Sequence, residues 1–166
     1  MIHWWSSVVR VPPRPLNGIT LGAMQIPSRA DWGDIDHNDL DAKWAFDTFL
    51  GKSFAEAEAM FESNALYYQE DLQSMPAVPF NFYAAALVKY ITSDRAKGDS
   101  DGASSFLYLI SWLLKSNRTI MTPETERTLL SAASTIAQRQ DFYEADPDIY
   151  GTFTERYAEI EQLAGT

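Results

Sequence analysis

The stretch DWGDIDHNDLDAKW, residues 31–44, places five aspartates and one of the chain's two histidines within eleven positions. Oxygen donors at that density suit a hard divalent cation, and the pattern to test is the EF-hand loop. That loop needs oxygen ligands at about positions 1, 3 and 5, glycine at 6 and a bidentate glutamate at 12. Asp34, Asp36 and Asn38 fill the first three, but the glycine position is Asp39 and the glutamate position is Ala45. Aspartates also collect at helix N-termini, where each gains about 0.3 to 1 kcal/mol from the helix dipole. The stretch is therefore expected to cap a helix and to carry surface charge. No metal or other cofactor is expected.

Other chemistry finds little support. His3 and His37 are the only histidines, too few for a three-histidine zinc site, and His37 beside aspartates reads as a surface residue. With no cysteine there is no thiolate ligand and no cysteine nucleophile. The sequence contains no H-E-x-x-H, G-x-S-x-G, Walker or G-x-G-x-x-G pattern. Glu56, Glu58, Glu62, Glu70 and Asp71 are close in sequence, and their simplest role is a solvated helix face. Residues 65–90 gather Tyr67, Tyr68, Phe80, Phe82, Tyr83 and Tyr90 around two prolines. Such rings fill a core. Exposed beside Glu70 and Asp71, they would instead make aromatic anchors in an acidic rim.

Charge narrows the choice of partner. All 23 acidic residues lie after residue 30, and residues 1–30 carry only Arg10, Arg14 and Arg29, leaving the whole chain at −10. Nucleic acid and anionic membranes draw on clustered Lys and Arg, so both are poor partners and a basic protein is a better one. The longest apolar run, Phe106 to Leu114, is far short of the roughly 20 residues that span a bilayer. The N-terminus lacks the charged and apolar regions of a signal peptide and is interrupted by Pro12, Pro13 and Pro15. A cytoplasmic location is expected.

The elements that must position these residues read as helices throughout. Residues 1–30 are expected to form an extended or partly disordered, Pro-rich arm, in which Met24 could be the true start, and residues 31–166 one helical domain. Asn38 or Asp39 caps a first helix of about 40–50 with Leu40, Trp44, Ala45 and Phe49 at helical spacing as its apolar stripe, and Gly51 stops it. The capping box Ser53–Glu56 opens a second, with Phe54, Ala57 and Phe61 inward and a break at Asn64. A third runs about 79–96 with Pro79 as its first residue and Phe80, Tyr83, Ala84, Leu87, Val88 and Ile91 buried. A fourth, about 103–115, is apolar nearly all round and central. The pair Thr122-Pro123 opens a fifth, to about residue 140, with Leu129, Leu130, Ala133 and Ile136 inward. YEADPDIYG is a loop, and Thr152–Glu155 caps a last helix with Phe153, Tyr157 and Ile160 inward. The expectation is an all-α, compact bundle of about six helices.

Function is expected to follow from surface, not from catalysis. The leading expectation is a non-enzymatic module that binds a basic protein. One form is the immunity type, a small acidic protein that blocks a basic toxin, a likeness of composition that no motif carries. Asp34, Asp36, Asp39 and Asp41 would steer the partner, and Tyr67, Tyr68, Glu70 and Asp71 would anchor it. The alternatives are a small-ligand-binding protein or hydrolytic enzyme with a carboxylate and tyrosine pocket, and a calcium-stabilised domain. Homo-oligomers are a further option, with Trp4, Trp5 and Val8 to Val11 as an arm exchanged between protomers.

Overall fold

The computed structural model describes residues 25–36 and 38–165. Expectations that fall on residues 1–24 and on His37 lie outside it. Among the described residues there is no strand, and the fold is the expected all-α bundle. Its helices are α1 (Leu40–Phe49), α2 (Phe54–Leu72), α3 (Ala77–Ile91), α4 (Ser100–Ser116), α5 (Pro123–Ala137), the single turn α6 (Pro147–Tyr150) and α7 (Phe153–Gly165). None of these helices is long and apolar enough to cross a membrane.

Local chemistry sets the boundaries. Asp39 caps α1, its Oδ1 accepting from the Asp41 and Ala42 amides at 3.1 and 3.0 Å. The Ser53–Glu56 box is complete in both directions and opens α2. Asn64 breaks α2 as expected: its φ/ψ of −165°/83° leave the helix, and its Oδ1 accepts from the Tyr67 amide at 3.1 Å. Asn64 thus acts as an internal N-cap that restarts the helix for its second half. Thr122 caps α5, with Pro123 in the first turn.

Several boundaries differ from expectation. α3 begins at Ala77 after Pro76, so Pro79 sits in the first turn instead of opening the helix, and it ends at Ile91, with a 3₁₀ turn at Asp94–Ala96. Because proline lacks only an amide, any first-turn position serves it. The expected loop after residue 142 contains α6. α4 is buried on the sides facing α2, α5 and α7, yet Tyr108 stands 60% exposed on its outer side with the Arg156 guanidinium 3.9 Å from its ring centre.

One cluster of buried side chains runs from Trp32 to Ile160. Near its centre Phe49 meets Tyr83 (ring centres 4.9 Å apart) and Phe61 (5.9 Å). The Tyr83 hydroxyl donates to the Phe49 and Lys52 carbonyls at 2.7 and 2.9 Å. These carbonyls belong to the C-terminal end of α1 and the turn after it, so α3 is tied to the end of α1; the Phe49 carbonyl also accepts the Lys52 amide at 3.0 Å. Burial pushes the Tyr83 hydroxyl up to about 12, which keeps it a donor at every ordinary pH. Tyr143 does the same elsewhere, donating to the Ile91 carbonyl at the end of α3 at 2.7 Å.

Two expected burials fail. Leu40 is 74% exposed and Trp44 56% exposed, whereas Ala45 and Phe49 are fully buried. The pairs 40/44 and 45/49 are both spaced at i, i+4 but lie about 140° apart around the helix, and α1 buries only the second. The glutamates of α2 are not a uniformly solvated face either. Glu58 is only 6% exposed and pairs with Lys89 (Nζ at 3.0 Å) and with Arg95, joining α2 to α3 and the 3₁₀ turn beyond it.

Tyr83→Phe should lower stability by about 0.5 to 1.5 kcal/mol, because the half-buried Lys52 carbonyl loses a donor and the Phe49 carbonyl keeps only the Lys52 amide, while the ring stays packed. Urea unfolding should show a lower midpoint at an unchanged slope.

Candidate functional site

α1 and the second half of α2 meet to form a cleft of about 360 Å³, lined by Asp41, Trp44, Tyr67, Glu70, Asp71, Gln73 and Ser74. Each position follows from local structure. Asp41 and Trp44 are three residues apart on α1 and share a side. Tyr67, Glu70 and Asp71 are spaced i, i+3, i+4 on α2, and their direction is set by the restart at Asn64. The ring of Tyr68 is half-buried, packed edge-on against Phe49 (6.1 Å) and against Tyr67 (5.1 Å), so the core buttresses the exposed Tyr67 from behind.

The cleft is acidic, and one of its acids is unusual. Asp71 is 9% exposed, and its Oδ2 is shut off from solvent with no hydrogen-bond partner. Burial, with the nearby charges of Glu70 and Asp41, raises its carboxyl to about 6. No ion pair among the described residues engages Asp41, Glu70 or Asp71. An unpaired buried carboxylate costs about 1 to 3 kcal/mol or more, and a cation or a proton relieves that cost. Among the described residues no three His, Cys, Asp or Glu side chains stand close enough to hold a metal ion.

Four of the eight residues singled out from the sequence come together here: Asp41, Tyr67, Glu70 and Asp71. Tyr68 supports them from the core side. Asp34, Asp36 and Asp39 stay outside the cleft, exposed on the approach to α1. Asp36 accepts from the amide and the side chain of Asn38, at 2.9 and 3.1 Å, and Asp39 is occupied as the cap. Asp71 had been grouped with a solvated face and is buried instead. Trp44, Gln73 and Ser74 were missed; Trp44 was assigned to the core because its spacing from Leu40 matches that of the true core pair. The net charge of α1's outer side, with Asp41 next to Leu40 and Trp44, was the available hint.

Two further hollows carry less. One, between the start of α3 and the turn before α5, is lined by Val78, Phe82, Ile120 and Met121. The other lies at the Asn64 break, beside Glu62, Lys97, Asp99 and Asp101. The chain matches no family model, no curated protein and no solved structure.

Folded Asp71 keeps its proton up to about pH 6, whereas its ordinary value is 3.8. Between those values the folded state binds more protons than the unfolded chain, so stability falls as pH rises through the window. Asp31 and Glu56 are held below their ordinary values by Ser28 and Ser53 and act in the opposite sense, but only at lower pH. Urea unfolding at pH 5 and pH 7 should therefore show a loss of about 1 kcal/mol attributable to Asp71, a figure reduced for solvent in the open cleft. Asp71→Asn should flatten the profile in that interval.

Proposed function

We propose that this chain is a non-enzymatic binding module that holds a basic protein on the face formed by α1 and the second half of α2. The observation that carries the reading is the pairing of an exposed Trp44 and Tyr67 with three carboxylates, one of them buried without a partner. Exposed aromatics beside desolvated charge are the usual anchors of a protein interface. Asp34, Asp36 and Asp39 sit at its margin and add long-range attraction, which raises the association rate more than the affinity. The net charge of −10 favours the same class of partner and disfavours nucleic acid and anionic membrane. An inhibitor of the immunity type, acting in the cytoplasm on a basic toxin, is the specific role that suits this chemistry.

A second reading is favoured by one observation. A buried carboxyl with a raised pKa beside a tyrosine, in a cleft between helices, is also what a small-ligand site or a hydrolytic acid–base residue needs. Among the described residues, Ser74 and Tyr67 are the hydroxyl-bearing side chains that line that cleft. The binding reading asks less of these residues.

The discriminating experiment captures partners from the native cell with the full chain and with the double variant Trp44→Ala/Tyr67→Ala. A basic protein retained by the first and lost from the second is the expected result. Replacing Asp36, Asp39 and Asp41 together by Asn should then slow association several-fold and flatten its salt dependence, while the Asn at position 39 preserves the helix cap. Equal retention by both proteins, or an acidic partner, contradicts the proposal.

A further inference from the structure

The binding face has a socket within it. Asp41, Glu70 and Asp71 line the cleft with the rings of Trp44 and Tyr67, and Asp71 presents a nearly enclosed carboxylate whose Oδ2 has no donor. The buried acid elsewhere on α2 has been treated differently: Glu58 is met by both Lys89 and Arg95. The fold thus supplies cations to one buried carboxylate and withholds them from the other. Three acids line the cleft, so a positively charged donor suits it best. It must also reach the cleft from outside.

We infer that the α1–α2 cleft receives an arginine side chain of the basic partner, with its guanidinium on the Asp71 carboxylate and its plane against Trp44 or Tyr67. This rests on the binding function proposed above and names the group recognised. A guanidinium is favoured over a lysine ammonium because its plane stacks on aromatic faces while its fixed fork of donors meets carboxylate oxygens in pairs. A metal ion is disfavoured by the absence of a close group of three ligands among the described residues. Glu70 and Asp41 line the same cleft, and their repulsion with Asp71 is relieved once a cation enters.

The test uses the full chain and the peptide acetyl-Gly-Arg-Gly-amide, followed by NMR through the indole N–H of Trp44, assigned by its loss in Trp44→Phe. The arginine peptide should shift that resonance saturably, the lysine peptide should bind several-fold more weakly, and the uncharged citrulline peptide should leave it in place. Asp71→Asn should weaken arginine binding at least tenfold. Glu70→Gln, at an exposed position where folding is safe, should weaken it several-fold. An unmoved indole, equal binding of the citrulline or lysine peptide, or an unaffected Asp71→Asn and Glu70→Gln pair overturns the inference. If the peptide fails while partner capture still depends on Asp36, Asp39 and Asp41, the socket falls and the wider face stands. If the peptide binds and no protein partner is retained, the guanidinium socket stands and the proposed function falls.

Discussion

The packing of Phe49 against Tyr83 is the constraint on which the binding face depends. Tyr83 reaches across from α3 and donates its hydroxyl to the Phe49 carbonyl at the end of α1 and the Lys52 carbonyl in the turn after it, while its ring packs on Phe49. α1 is only ten residues long and buries just Ala45 and Phe49 completely, with Phe49 also packed on Phe61 and Tyr68 and Phe46 on Trp32. A helix of that length is marginal by itself and must be held by tertiary contacts. With α1 fixed by its C-terminal end, its outer side is free to stay exposed. Leu40 and Trp44 can then remain at the surface without loss of the fold.

The second half of α2 supplies the opposite wall, and the break at Asn64 decides how. A continuous helix from Ser53 would carry Tyr67, Glu70 and Asp71 along one axis with Phe61. Instead Asn64 leaves the helix and caps a new start, so the two halves of α2 answer to different neighbours. The first half joins α3 through the Glu58, Lys89 and Arg95 cluster. The second sets Tyr68 against Phe49 and leaves Tyr67 and Asp71 to the cleft. Buried ion pairs add little net stability, yet leaving one member alone is costly. That Glu58 is paired and Asp71 is not marks the first as structural and the second as available to a ligand.

Much of this could be read from the residue order, and what could not has a physical cause. Capping chemistry is local, so the Ser53–Glu56 box, the break at Asn64 and Thr122 are legible from their spacing alone, and the α1 cap is narrowed to Asn38 or Asp39, of which the fold uses Asp39. The all-α class follows from the same signals. Which side of α1 faces inward is not local: two stripes of equal spacing compete, and the choice is made by Phe49 finding Tyr83, 34 residues away. The fate of the α2 acids is equally hidden, because Glu58 meets Arg95 across 37 residues while Asp71 meets nothing. The cleft was half visible. Tyr67, Glu70 and Asp71 were named for their chemistry, but Trp44 was assigned to the core and the three loop aspartates Asp34, Asp36 and Asp39 stand apart.

The central claim is that the α1–α2 face keeps a desolvated carboxylate waiting for a cation. The carboxyl carbon resonance of Asp71, followed by NMR as a function of pH in the full chain, measures this directly. A midpoint near 6, falling once a guanidinium-bearing peptide saturates the cleft, is the predicted result. A midpoint at the ordinary 3.8, unmoved by the peptide, would show a solvated carboxylate and contradict the account.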